Sequence, residues 1–121
     1  MARRRSFGKT FQVFLAPSAA RTASGQGTST PSTDQAQVAR LDVTAVAGTA
    51  PTLVVTVEES PNGSTGWTTH SSFQQMVTTG SQTIDLRKRS QPFMRASWVI
   101  GGTTPSFTFA VQVANSASAL T

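Results

Sequence analysis

Two stretches of the chain repeat one pattern. Residues 40–57, RLDVTAVAGTAPTLVVTV, and residues 94–111, MRASWVIGGTTPSFTFAV, each read as an alternating segment, a Gly-Thr-x-Pro turn and a second alternating segment. Superposing Gly48-Thr49-Ala50-Pro51 on Gly102-Thr103-Thr104-Pro105 places Leu53, Val55 and Val57 over Phe107, Phe109 and Val111. The apolar side of the outgoing segment is thus preserved. Period-two alternation marks a half-buried strand, and a proline is tolerated where a strand begins because no ladder N–H is required there. The pattern predicts two equivalent strand–turn–strand hairpins and a chain devoted to a β scaffold.

The flanking segments extend this reading. From Gln37, Val38, Arg40, Asp42 and Thr44 fall on one side of a strand and Leu41, Val43 and Ala45 on the other. After the first turn, Leu53, Val55 and Val57 point inward and Thr56 and Glu58 outward. Ser60-Pro61-Asn62-Gly63-Ser64-Thr65-Gly66 combines Pro, Asn-Gly and a further Gly, the strongest turn signal present. Trp67 follows, placed to fold back over the sheet. Residues 67–77 and 81–86 give two more strands, and 93–100 and 107–113 the second hairpin. No helical periodicity competes. The expected fold is all-β, an antiparallel β-sandwich of jelly-roll or Ig-like type with 6–8 strands and an extended N-terminal arm.

Domain organisation follows from composition. Residues 1–36 read as a basic arm and a Ser/Thr/Gly-rich linker, with Phe11–Ala16 either a first strand or a segment that pairs only with a partner. Pro17 to Gln35 is expected to stay extended unless something external orders it. The sandwich is placed at residues 37–114, and 115–121 form a flexible tail. Only 12% of residues are charged, against a usual quarter, so hydroxyl-bearing neutral surface dominates. With no cysteine to form a staple, a core of this size points to homo-oligomerisation, with a trimer the expected form. No apolar run is long enough to span a membrane.

Catalytic inventory is short. His70 is the single histidine, and a neighbouring hydroxyl in a regular strand faces the opposite way, which predicts no Ser-His pair. Glu58 and Glu59 are adjacent and diverge, while Asp42 is expected to pair with Arg95 or Arg40. Gly48 and Gly101-Gly102 precede strands, so no phosphate-binding loop forms. The chain is therefore expected to be no enzyme, with no catalytic residue, cofactor or metal.

The net charge of +5 is concentrated. Arg3, Arg4, Arg5 and Lys9 precede every acid, and Arg87-Lys88-Arg89 lies between two strands. The arm reads as a docking segment for an acidic protein surface, as a phosphate-neutralising segment for nucleic acid, or as a solubilising end. Phe7, Phe11, Phe14 and Leu15 are its candidate anchors, and Arg87, Lys88 and Arg89 read either as a solvated loop or as a second contact, with a neighbouring acidic subunit. Trp67 and Trp98 are the only candidates for stacking on a sugar; Trp98, mid-strand, reads as core.

EESPNGSTGWTTHSSF, VTAVAGTAPTL and VIGGTTPSFTF together resemble a family of small β-sandwich proteins encoded among the virion structural genes of tailed bacteriophages. Residues 37–113 carry the whole pattern, and Leu15–Thr22 is also similar. A weaker likeness links S-P-N-G-x-x-x-W to the hairpin of discoidin-like jelly rolls. The resemblance implies a scaffold in a virion context, on the capsid or in the tail; within it the expected role is a capsid decoration or cement protein bound to other virion proteins, foremost the major capsid protein. Two alternatives stay open, a tail or baseplate module that binds carbohydrate or a receptor, and a coat protein whose basic arm faces nucleic acid.

Overall fold

The computed structural model describes residues 13–31, 37–86 and 91–115. Strand takes 77% of these and helix none, which places the chain in the all-β class. Seven strands form one antiparallel sheet: β1 (Val13–Arg21), β2 (Gly25–Gln26), β3 (Thr30–Pro31), β4 (Gln37–Ser60), β5 (Thr68–Ser72), β6 (Gly80–Leu86) and β7 (Phe93–Asn115).

The two Gly-Thr-x-Pro motifs are not hairpin turns, and here the structure corrects the sequence reading. The chain runs through each motif as one long bent strand, and the two long strands pair with each other from Gln37↔Asn115 to Ser60↔Phe93. The motifs meet at the middle of this ribbon, where Thr49 pairs with Thr103. Gly48 and Gly102 have φ of 111° and 114°, and Ala50 and Thr104 have φ of 50° and 47°. A glycine followed two residues later by a second left-handed residue bends each strand without reversing it, in the manner of a bulge. The glycines are also required by contact. A Cβ at Gly48 would lie 2.7 Å from the Thr104 carbonyl oxygen, and one at Gly102 would lie 2.7 Å from that of Ala50.

The other strands repeat this relation. β1, β2 and β3 pair with β7, whereas β5 and β6 pair with β4. Each half of the chain therefore lays its short strands on the long strand of the other half. The equivalence breaks at Thr44, a bulge between Val43↔Phe109 and Ala45↔Thr108 that reverses the inward parity. As a result Ala39, Leu41 and Val43 are buried but Ala45 is exposed, contrary to simple alternation.

Both halves feed one core. Leu53, Val55, Val57, Phe107, Phe109 and Val111 are each fully buried, as the alternation predicts. Trp98 is also buried, with its ring edge-to-face against Phe109 at 5.4 Å between centroids.

Residues 17–31, read as a linker from composition, are paired along β7. Small residues give this segment little apolar surface, and it is held by other means. The indole N–H of Trp98 donates to the Ala23 carbonyl at 3.2 Å, the Ile100 amide donates to Ser24 Oγ at 2.9 Å, and the Gly27 amide donates to the Ala96 carbonyl at 2.8 Å.

Candidate interaction surface

Of the eleven residues singled out from sequence, Phe14 and Leu15 lie within the described structure; Arg3, Arg4, Arg5, Phe7, Lys9, Phe11, Arg87, Lys88 and Arg89 lie outside the described residues. Phe14 and Leu15 are neighbours with opposite fates, as strand alternation requires. Phe14 is 51% exposed, while Leu15 is 1% exposed and belongs to the core. Leu15 thus holds β1 to the core, and Phe14, near the start of β1, is offered to solvent.

Two arginines stacked on aromatic rings show what the sheet does with its cations. Arg21 sits 4.4 Å from the Phe109 ring centroid and 4.8 Å from that of Trp98. Its Nη1 donates to the carbonyls of Phe109 at 2.7 Å and Ala19 at 3.1 Å, and its Nη2 to that of Pro17 at 2.6 Å. Burial pushes this guanidinium below its ordinary pKa, although it stays charged. Arg21 is a latch: its terminal nitrogens are occupied within the chain.

Arg95 differs. Its guanidinium lies 4.2 Å over the Trp67 ring, and its Nε donates to Glu58 Oε1 at 2.7 Å across the β4–β7 ladder. Asp42, one expected partner of Arg95, instead lies 3.9 Å from Arg40 on its own strand. Among the described residues the terminal nitrogens of Arg95 have no hydrogen-bond partner. Glu58 and Trp67 therefore hold a planar donor fork in place on a partly exposed surface, next to Thr69, the residue paired with Glu58.

The turn before Trp67 is held by its own side chains. Ser60 Oγ donates to the Thr65 carbonyl at 2.5 Å and accepts from the amides of Asn62 and Gly63, while Asn62 Oδ1 accepts from the amides of Ser64 and Thr65. This network fixes the position from which Trp67 reaches Arg95.

One geometric expectation fails at His70. Val57 pairs with Ser71 and Glu58 with Thr69, which leaves His70 as the extra residue of a bulge. The bulge brings adjacent side chains together, and His70 Nδ1 lies 2.8 Å from Ser71 Oγ. Nothing in the sequence signalled the bulge. Among the described residues no third group bonds the other nitrogen of the imidazole. No group of three or more metal-ligating side chains occurs among the described residues.

No protein-family model matches the chain, and no curated protein matches it at a significant level.

Proposed function

We propose that the chain is a bacteriophage virion structural protein, a capsid decoration or cement subunit whose N-terminal segment grips neighbouring proteins of the shell. The bent ribbon is inferred to close on itself as a two-layered β-sandwich of jelly-roll or Ig-like type, an arrangement supported by the contact of Trp98 with Phe109 from opposite halves of β7. One observation carries the functional reading. Phe14 is exposed beside buried Leu15 near the start of β1, and Arg3, Arg4, Arg5 and Lys9 precede them in sequence. An apolar anchor next to a cationic run is the composition of a segment that gains affinity by ordering on an acidic protein surface.

The test is stoichiometry and truncation together. Quantitative mass spectrometry of particles containing the chain is expected to give hundreds of copies, and removal of residues 1–12 is expected to abolish co-sedimentation with shells. A handful of copies per particle, or full occupancy after truncation, overturns the reading.

Arg95 favours a second reading, a tail module that binds a receptor glycan. Trp67 is partly exposed beside an oriented Arg–Glu pair and Thr69, and such groups suit a sugar's apolar face and vicinal hydroxyls. Trp98, by contrast, is buried and contributes no such surface. Glycan-array binding that is lost in Trp67→Ala and kept in Phe14→Ser would replace the first reading with this one.

A further inference from the structure

Every strand pair among the described residues joins a residue before the connection at 61–67 to a residue after it. β1, β2, β3 and β4 precede that connection; β5, β6 and β7 follow it; all pairing runs between the two groups, including the isolated bridge Leu53↔Met76. The core divides the same way. Leu53, Val55 and Val57 from the first half pack with Phe107, Phe109 and Val111 from the second.

We infer that two copies of this chain exchange halves, residues 13–60 of each pairing with residues 68–115 of the other, to form an intertwined dimer. The partner fits because the interface already exists. An exchanged dimer regenerates each ladder contact and the shared core from the opposite chain, and only the connection changes conformation. Fully extended, the seven residues of that connection span about 24 Å. Its native conformation is held locally by Ser60 and Asn62, so opening it costs those hydrogen bonds and leaves the sheet intact. The dimer would carry two N-terminal segments on one body, a gain in avidity for any partner with repeated sites. The inference stands whether or not that partner is a viral shell.

Natural absence of cysteine makes the test clean. Val54 and Val99 are partners in a regular part of the β4–β7 ladder, and Val99 is 62% exposed. Val54→Cys with Val99→Cys in one chain gives an intrachain disulfide in the monomer and two interchain disulfides in the exchanged dimer. After refolding across a protein dilution series and oxidation, a non-reducing gel is expected to show a dimer band that grows with protein concentration. Deleting residues 61–66 from the same variant leaves Ser60 and Trp67 as a two-residue connection, which needs positive φ that these residues resist. That chain is expected to give dimer at every concentration. If the shortened chain fails to fold, the dilution series decides alone. A monomer-sized band throughout the series, or a ladder of species beyond the dimer, overturns the inference.

Discussion

Thr49 lies opposite Thr103, its own equivalent 54 positions along the chain (103 − 49 = 54), so the β4–β7 ribbon has a local two-fold relation at its centre. The relation is physical and not only sequential. Each Gly-Thr-x-Pro motif supplies the carbonyl oxygen that forbids a side chain on the other motif's glycine, at the same distance of 2.7 Å. The motif bends each strand, and its glycine admits the bend of its partner.

Gly48→Ala and Gly102→Ala should therefore be equally damaging. Each adds a Cβ against backbone atoms at a φ that L-residues rarely adopt, and nearby backbone cannot yield without breaking the ladder. Urea unfolding is expected to show a loss of about 2–4 kcal/mol for either variant, with the two within about 1 kcal/mol of each other. A large loss in one and none in the other would show that the bends are not equivalent.

Opposite behaviour is expected two residues on. Ala50 and Thr104 hold left-handed φ values of 50° and 47°, where a Cβ costs energy that glycine avoids. Ala50→Gly and Thr104→Gly are expected to stabilise the fold by roughly 0.5–1 kcal/mol, less than the full strain because glycine also frees the unfolded chain. Thr104 should gain more, since a β-branched residue is the worse fit to this region. Thermal melting of the two single variants checks both the sign and the order.

These bends explain what the sequence could and could not disclose. Alternation located the inward residues of the outgoing strands because that signal is local. The identity of each strand's partner is not local, and glycine with proline signals a turn as readily as a bend, so the expected hairpins became one ribbon. Residues 17–31 read as linker because Ala19, Ala20 and Gly25 contribute backbone pairing, and Ser24 a hydroxyl acceptor, with little side-chain burial. At Gly27 any side chain would collide with the Leu15 carbonyl, so a residue that looks like linker is a packing requirement. The Arg95–Trp67 contact was hidden for a related reason, since 28 positions separate them (95 − 67 = 28) and it takes the β4–β5 and β4–β7 registers together to bring them close.

Arg21 should prove to be the polar residue on which β1 depends most. Arg21→Lys keeps the charge but loses the planar fork that serves three carbonyls while lying against two rings. A loss on the order of 2 kcal/mol is expected from chemical denaturation. The sign of the pH dependence is also defined. A guanidinium whose folded pKa is lowered by burial is protonated more readily in the unfolded chain, so its linkage raises stability only as pH climbs toward that strongly alkaline value. Between about pH 5 and 9 the difference between wild type and Arg21→Lys is expected to stay flat.

Truncation from the N-terminus should divide sharply between residues 12 and 21. Removing residues 1–12 leaves every described strand whole, and the melting temperature is expected to shift by no more than a few degrees. Extending the deletion through Leu15 removes a side chain that is 1% exposed, worth about 2–3 kcal/mol of burial. Extending it through Arg21 also exposes the edge of β7 from Phe107 to Val113 and uncovers the rings of Trp98 and Phe109. The first variant is expected to be folded and the last to be unfolded or aggregated, because a bare edge strand invites pairing with other chains. Tryptophan fluorescence follows the change directly: Trp98 is buried and its emission should shift to longer wavelength only in the longer deletions. A folded protein lacking residues 1–21, with Trp98 still shielded, would show that β1 is an accessory to the sheet and that the remaining strands close the core without it.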